Sequence, residues 1–135
     1  PLSRPLQTNS IRTANWIKRD GARLLCVRTR NRERFYLPGG KIDPGETPRT
    51  AVVREVAEEL GVQLDVSSLR QLGRFVGQGH NLPIGQHVEM TCFLADHAGH
   101  FQPGREIAEY AWLSPHDRHL MAPMCQKINA ALFDI

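Results

Sequence analysis

Three glutamates, Glu55, Glu58 and Glu59, recur at the spacing i, i+3, i+4. On a helix each residue advances about 100°, so all three fall within an arc of roughly 100° and three carboxylates share one face. Like charges at this spacing repel by roughly 0.2–0.5 kcal/mol per pair, and by more where water is excluded. The pattern therefore asks for a compensating charge. Arg54 is adjacent but points about 100° away from Glu55, so it reaches the edge of the cluster or a carboxylate of the preceding loop such as Glu46. A divalent cation is the natural partner, because hard oxygen ligands close together suit Mg²⁺ or Mn²⁺. For Glu58 and Glu59 alone a solvated acidic face is the simpler reading; the loop before them decides otherwise. Metal held in this way can neutralise charge building on oxygens and deliver a deprotonated water.

The elements that must position these groups are legible around them. Thr47 is an N-cap, Pro48 suits the first helical position and Gly61 fits the left-handed residue past the end, which predicts a helix over Pro48 to Leu60. Val52, Val53, Val56 and Leu60 occupy the face next to the carboxylates, so a core holds the acidic face in place. Immediately upstream, Pro38-Gly39-Gly40 opens a loop that runs through Pro44-Gly45. Ile11 to Lys18 and Ala22 to Thr29 flank Arg19-Asp20-Gly21 and read as a hairpin. Leu72 to Val76, Gln86 to Ala95 and Ile107 to Leu113 read as strands, and Pro123 to Phe133 as a final helix. Gly77 to Gly85 is a long glycine-bearing connection of the kind that borders sites.

Gly40, Glu46 and the run Arg54-Glu55-Val56-Ala57-Glu58-Glu59-Leu60-Gly61-Val62 match every specified position of the pattern Gly-x5-Glu-x7-Arg-Glu-U-x-Glu-Glu-x-Gly-U, with U aliphatic. The chain thereby resembles the Nudix hydrolases, and the stretch from Pro38 to Thr47 is similar to the loop of MutT-type members. The resemblance implies an α/β fold, an α/β/α sandwich on a mixed β-sheet with the glutamate helix on one side and the last helix on the other. It implies a Mg²⁺-dependent pyrophosphohydrolase, with metal on the side chains of Glu55, Glu58 and Glu59 and the carbonyl of Gly39. Arg54 would orient Glu55, and Glu46 would support helix and loop. In such sites a further carboxylate often completes the ligand set or acts as base. Glu109 is preferred here and Glu106 is the alternative, with Glu55 itself a third candidate for the base.

Substrate is less constrained. The residues downstream of the box, Gly77-Gln78-Gly79-His80, lack the tyrosine or proline that the resemblance associates with diadenosine polyphosphate and ADP-ribose hydrolases. Arg28-Thr29-Arg30 does not reproduce the motif of the coenzyme A type. Cleavage of a nucleoside triphosphate to monophosphate and pyrophosphate remains by elimination. Met121-Ala122-Pro123-Met124 stands where oxidised-guanine enzymes carry a base-reading asparagine. Lys41 is placed to meet a phosphate as a point charge, while Phe75, alongside Phe35 and Tyr36, offers a face for stacking on a base. His87 borders the glycine-rich connection and is a further candidate for substrate contact. The pairs His97/His100 and His116/His119 lack the companions a zinc site needs.

A chain of 135 residues suits one domain, expected over 10–135 behind a flexible lead-in over 1–9. With 41% apolar and 23% charged residues it has an ordinary globular balance, and no run approaches a membrane span. A cytoplasmic monomer or homodimer is expected. Cys26, Cys92 and Cys125 are far apart and odd in number, so reduced, buried thiols are expected rather than a disulfide framework. A net charge of +3 modestly favours polyanionic partners, but without a clustered basic stripe it argues against nucleic acid; the nucleotide-like small-molecule partner is what the resemblance implies. The rival from another class is a catalytically idle Nudix domain that senses a nucleotide; it would be favoured by degenerate carboxylates, and none is degenerate here.

Overall fold

The computed structural model describes residues 10–134, so the expected lead-in over 1–9 lies outside the described residues. In chain order the elements are β1 (Ile11–Trp16), β2 (Arg19–Asp20), β3 (Arg23–Thr29), β4 (Gly39–Lys41), α1 (Pro48–Leu60), β5 (Gln63–Leu64), β6 (Arg70–Gln78), β7 (His87–Leu94), β8 (His97–Ala98), β9 (Ile107–Leu113) and α2 (Pro123–Phe133). Short 3₁₀ turns follow β5 and β9. A four-stranded mixed sheet has the order β4-β1-β7-β6, in which β1 and β7 are parallel. β2, β3 and β9 form an antiparallel sheet beside it, and β5 pairs with β8.

Alternation along the strands divides the core in two. Ala14 and Trp16 of β1 and Leu25 and Val27 of β3 face α1 and meet its Val52, Val56 and Leu60. Leu24 and Cys26 of β3 and Met90 and Cys92 of β7 face the other way and meet Cys125 and Ile128 of α2. The architecture is the α/β/α sandwich on a mixed sheet. All three cysteines are free and buried. No helix among the described residues is long and apolar enough to cross a membrane.

The expected hairpin between Ile11–Lys18 and Ala22–Thr29 is corrected. Its turn exists, with Gly21 at φ 62° and Asp20 opposite Arg23, but only β2 and Lys18 follow it back along β3. Ile17 donates its N–H to Phe93 O while Leu25 donates to Lys18 O, so the chain crosses here from one sheet to the other. β1 is claimed by the parallel pairing with β7, which buries Ala14 and Trp16 against α1; a local turn sets only the last few pairs, and burial sets the rest. The reading of Gly39 and Gly40 as loop is also corrected, because they form β4 against Ala14 and Asn15.

Candidate active site

α1 begins with a capping box in which Thr47 and Thr50 bond each other's backbone N–H, and it ends at Gly61, whose N–H reaches Ala57 O. Its buried face, Ala51, Val52, Val56 and Leu60, locks the helix rotation. That rotation aims Arg54, Glu55 and Glu59 toward β4 and the loop behind it.

Arg54 does more than reach the edge of the cluster. Its Nε and Nη2 donate to the two oxygens of Glu46 at 2.7 and 2.8 Å, a two-pronged clamp. Its Nη1 donates to Glu55 Oε2 at 2.8 Å and Glu58 Oε1 at 3.0 Å, and Nη2 also reaches Lys41 O at 3.2 Å. One guanidinium thus joins the loop, the end of β4 and two of the three helix carboxylates. The Arg54 hydrogen bonds hold the Glu46 carboxyl down at about 2, and its bonds to Glu46 and Glu55 push Arg54 itself up.

Glu59 has no such cation. Its Oε1 accepts the Gly39 N–H at 2.9 Å. Burial pushes its carboxyl up to about 8; the Gly39 bond opposes this, while Glu55, Glu106 and Glu58 add repulsion. The two glycines of β4 are demanded by this packing. Gly39 has φ 138°, and a Cβ there would overlap Ala14 O; a Cβ at Gly40 would overlap the Glu55 carboxylate.

Among the described residues no three His, Cys, Asp or Glu side chains stand in an ion-holding group as they are. Arg54 takes Glu55 and Glu58, and Gly39 takes Glu59. The donor set nevertheless fits a divalent cation: hard oxygens around a withdrawn carboxylate that Glu55, Glu106 and Glu58 repel. The histidine pairs gather no zinc-like group among the described residues; His97 stacks on Phe101 and meets Trp16 edge-on.

Beside Glu59 opens a cleft of about 360 Å³, lined also by Gly39, Gly40 and Lys41. Its walls are mostly apolar: Val27, Leu37, Val88, Met90 and Met124. Polar groups converge on it from separate elements. Asn15 is 5% exposed and accepts from Thr13 Oγ1 at 2.7 Å. Tyr36 hydrogen-bonds His80 Nδ1 through its hydroxyl, tying the β3–β4 connection to the β6–β7 loop. Volume and lining suit a nucleoside-sized ligand.

The remaining expected residues are placed as follows. Lys41 lines the cleft. Phe75 is part-buried against the α2 side of the core and His87 is exposed opposite Gln78; neither lines the cleft, although Val88 beside His87 does, by alternation. Glu109 sits opposite Arg28 in the β3–β9 pairing, and its Oε2 is held by Arg28 at 2.8 and 3.0 Å. Glu106, the second choice, is the out-of-box carboxylate near enough to act on Glu59. Tyr36, weighed above as a stacking face, lines the cleft, whereas Asn15 and His80 were missed as site residues; Asn15 signals itself only as an amide inside a strand whose neighbours Ala14 and Trp16 are apolar.

A pH dependence follows for the metal-free protein. The Glu59 carboxyl lies at about 8 in the fold against 4.5 ordinarily, so its protonation favours folding; this stability is complete below about pH 4.5 and lost as pH rises through about 8. Glu46, shifted the opposite way, changes stability only in more acidic solution. Melting temperature in a chelator is expected to fall between about pH 5 and 8.5 and to recover most at the alkaline end when Mg²⁺ is added. A flat or rising profile in chelator contradicts this.

The NUDIX domain model matches residues 10–132. The chain is 39% identical over 109 residues to a MutT-like protein of Streptomyces ambofaciens, covering 81% of this chain and 66% of that protein, so it spans just under two thirds of that relative's length. It is 31% identical over 105 residues to the CTP pyrophosphohydrolase of Escherichia coli, covering 75% and 73% of the two chains. Its fold is similar to the crystal structure of a MutT NUDIX hydrolase from Burkholderia pseudomallei, with a TM-score of 0.76 at 21% identity over 92% of this chain and 98% of that one.

Proposed function

The chain belongs to the NUDIX domain family, and we propose from that membership that it is a Mg²⁺-dependent pyrophosphohydrolase that cleaves a nucleoside triphosphate to monophosphate and pyrophosphate. The observation that carries the reading is one juxtaposition. A withdrawn carboxylate without a cationic partner, Glu59, lines an apolar cleft of nucleoside size. The relative named as a CTP pyrophosphohydrolase supports a triphosphate as the substrate class.

Glu55, Glu58, Glu59 and the Gly39 carbonyl would hold the metal, with Glu106 rather than Glu109 as the additional carboxylate. When bound, the ion supplies neutralisation of the phosphate oxygens and a more acidic water. The protein's own part is arrangement. Arg54 fixes Glu46, Glu55 and Glu58 in mutual register, so they do not swing apart under their own repulsion. The Gly39 N–H orients Glu59. Lys41 lines the same cleft as Gly39 and Glu59 and is the proposed phosphate contact. The apolar walls receive the base and exclude water. Glu106 is the proposed proton acceptor for the attacking water.

The test is turnover of normal and oxidised nucleoside triphosphates, ADP-ribose, nucleotide sugars and dinucleoside polyphosphates, with Mg²⁺ and then with chelator. Turnover of triphosphates above the other classes, abolished by chelator, is expected. Tight binding of a nucleotide without turnover of any compound would instead make the chain a sensor.

A further inference from the structure

A second hollow, of about 480 Å³, adjoins the cleft, and Thr29 lines both. Its other walls are Arg30, Asn31, Arg105 and Glu106. It forms where β3 shifts register between Arg28 and Thr29 and begins to part from β9. Arg30 N–H donates to Glu106 O at 2.9 Å and Arg30 Nε to Arg105 O at 2.8 Å, so the two loops hold each other and the Arg30 guanidinium is fixed against the wall. Arg28, two residues earlier, is occupied by Glu109. Arg30 and Arg105 enter no ion pair among the described residues, and neither does Arg32 on the adjoining cleft wall. Gly104 N–H donates to Glu59 O at 2.8 Å, so the loop that carries Arg105 and Glu106 runs against the end of α1 that bears Glu59.

Guanidinium groups with open donors beside a phosphate-cleaving centre suit phosphate oxygens, which they meet in a fork. Resting on the hydrolase reading above, we propose that Arg30 and Arg105 form a subsite for the distal phosphates of the substrate, the part that leaves as pyrophosphate. The length of the polyphosphate chain then determines specificity: a triphosphate fills the subsite, and a diphosphate, whose leaving group is one phosphate shorter, does not.

Arg105→Gln is the cleaner probe, since among the described residues its side chain donates no hydrogen bond; Arg30→Gln is the second, and Arg105→Lys the conservative control. KM for a nucleoside triphosphate and for the matching diphosphate is measured with Mg²⁺, and inorganic pyrophosphate is titrated calorimetrically. Each Gln variant is expected to raise the triphosphate KM about tenfold and weaken pyrophosphate binding about tenfold, with the diphosphate KM unchanged and Arg105→Lys intermediate. An equal rise for both nucleotides, or undiminished pyrophosphate binding, overturns the subsite. If the unaltered protein cleaves neither nucleotide, the hydrolase reading falls and the pyrophosphate titration alone decides the subsite.

Discussion

Glu59→Gln is expected to lower kcat about 10²–10³-fold while raising the melting temperature of the metal-free protein above pH 8. The rate loss has the size typical of removing one group that stabilises developing charge. The stability gain has a separate cause. Glu59 is withdrawn from water with Glu55, Glu106 and Glu58 around it and one N–H as its partner, so its ionised form opposes the fold. Glutamine keeps the shape and the acceptor for Gly39 but cannot ionise. Its melting profile in chelator should therefore lose most of the decline between about pH 5 and 8.5. Opposite changes in activity and stability from one substitution are the mark of a residue kept for function. Parallel losses in both would mean that Glu59 is a structural hydrogen-bond acceptor and nothing more.

Arg54→Gln has the next largest effect, and its two losses run together. The substitution removes the charge that ties Glu46, Glu55 and Glu58, leaving three carboxylates to repel on one side of α1. Glu46 and Glu55 are each only 19% exposed, so water compensates them poorly. A cost of about 1–3 kcal/mol is expected, seen as a melting temperature about 3–10 °C lower. Activity should fall about 10–100-fold, the scale for groups that orient ligands without touching substrate. Arg54→Lys should recover little of either, because an ammonium group cannot meet Glu46 in a fork while also reaching Glu55 and Glu58. Recovery to near the original rate in Arg54→Lys would show that charge alone matters there.

What could be read from the sequence were the features with local causes. Thr47, Pro48 and Gly61 bound α1, and the positions of Ile107–Leu113 and Pro123–Phe133 follow from their own periodicity. Features that depend on which distant segment wins a pairing were not legible. β1 turns from the nearby β3 to β7, more than 70 residues away, because that pairing lets Ala14 and Trp16 be buried under α1. β5 and β8 are two residues each, too short for any alternation to show. What separates Glu106 from Glu109 is equally non-local: the β3–β9 register puts Glu109 opposite Arg28, and Glu106 falls before β9 begins, beside the end of α1. Arg54 was underestimated because a helical wheel gives the direction of a side chain at its root, whereas a long arginine curls back over a turn. The Tyr36–His80 contact joins two loops across the cleft, and neither residue carries a local sign of it.

The central claim is tested most directly by following a nucleoside triphosphate by phosphorus NMR in the presence of the protein, with Mg²⁺ and then with chelator, beside the Glu59→Gln variant. The account predicts pyrophosphate and monophosphate signals that grow together with Mg²⁺, stop in chelator, and grow about 10²–10³-fold more slowly in the variant. Orthophosphate released one unit at a time, or equal rates from the two proteins, would contradict it.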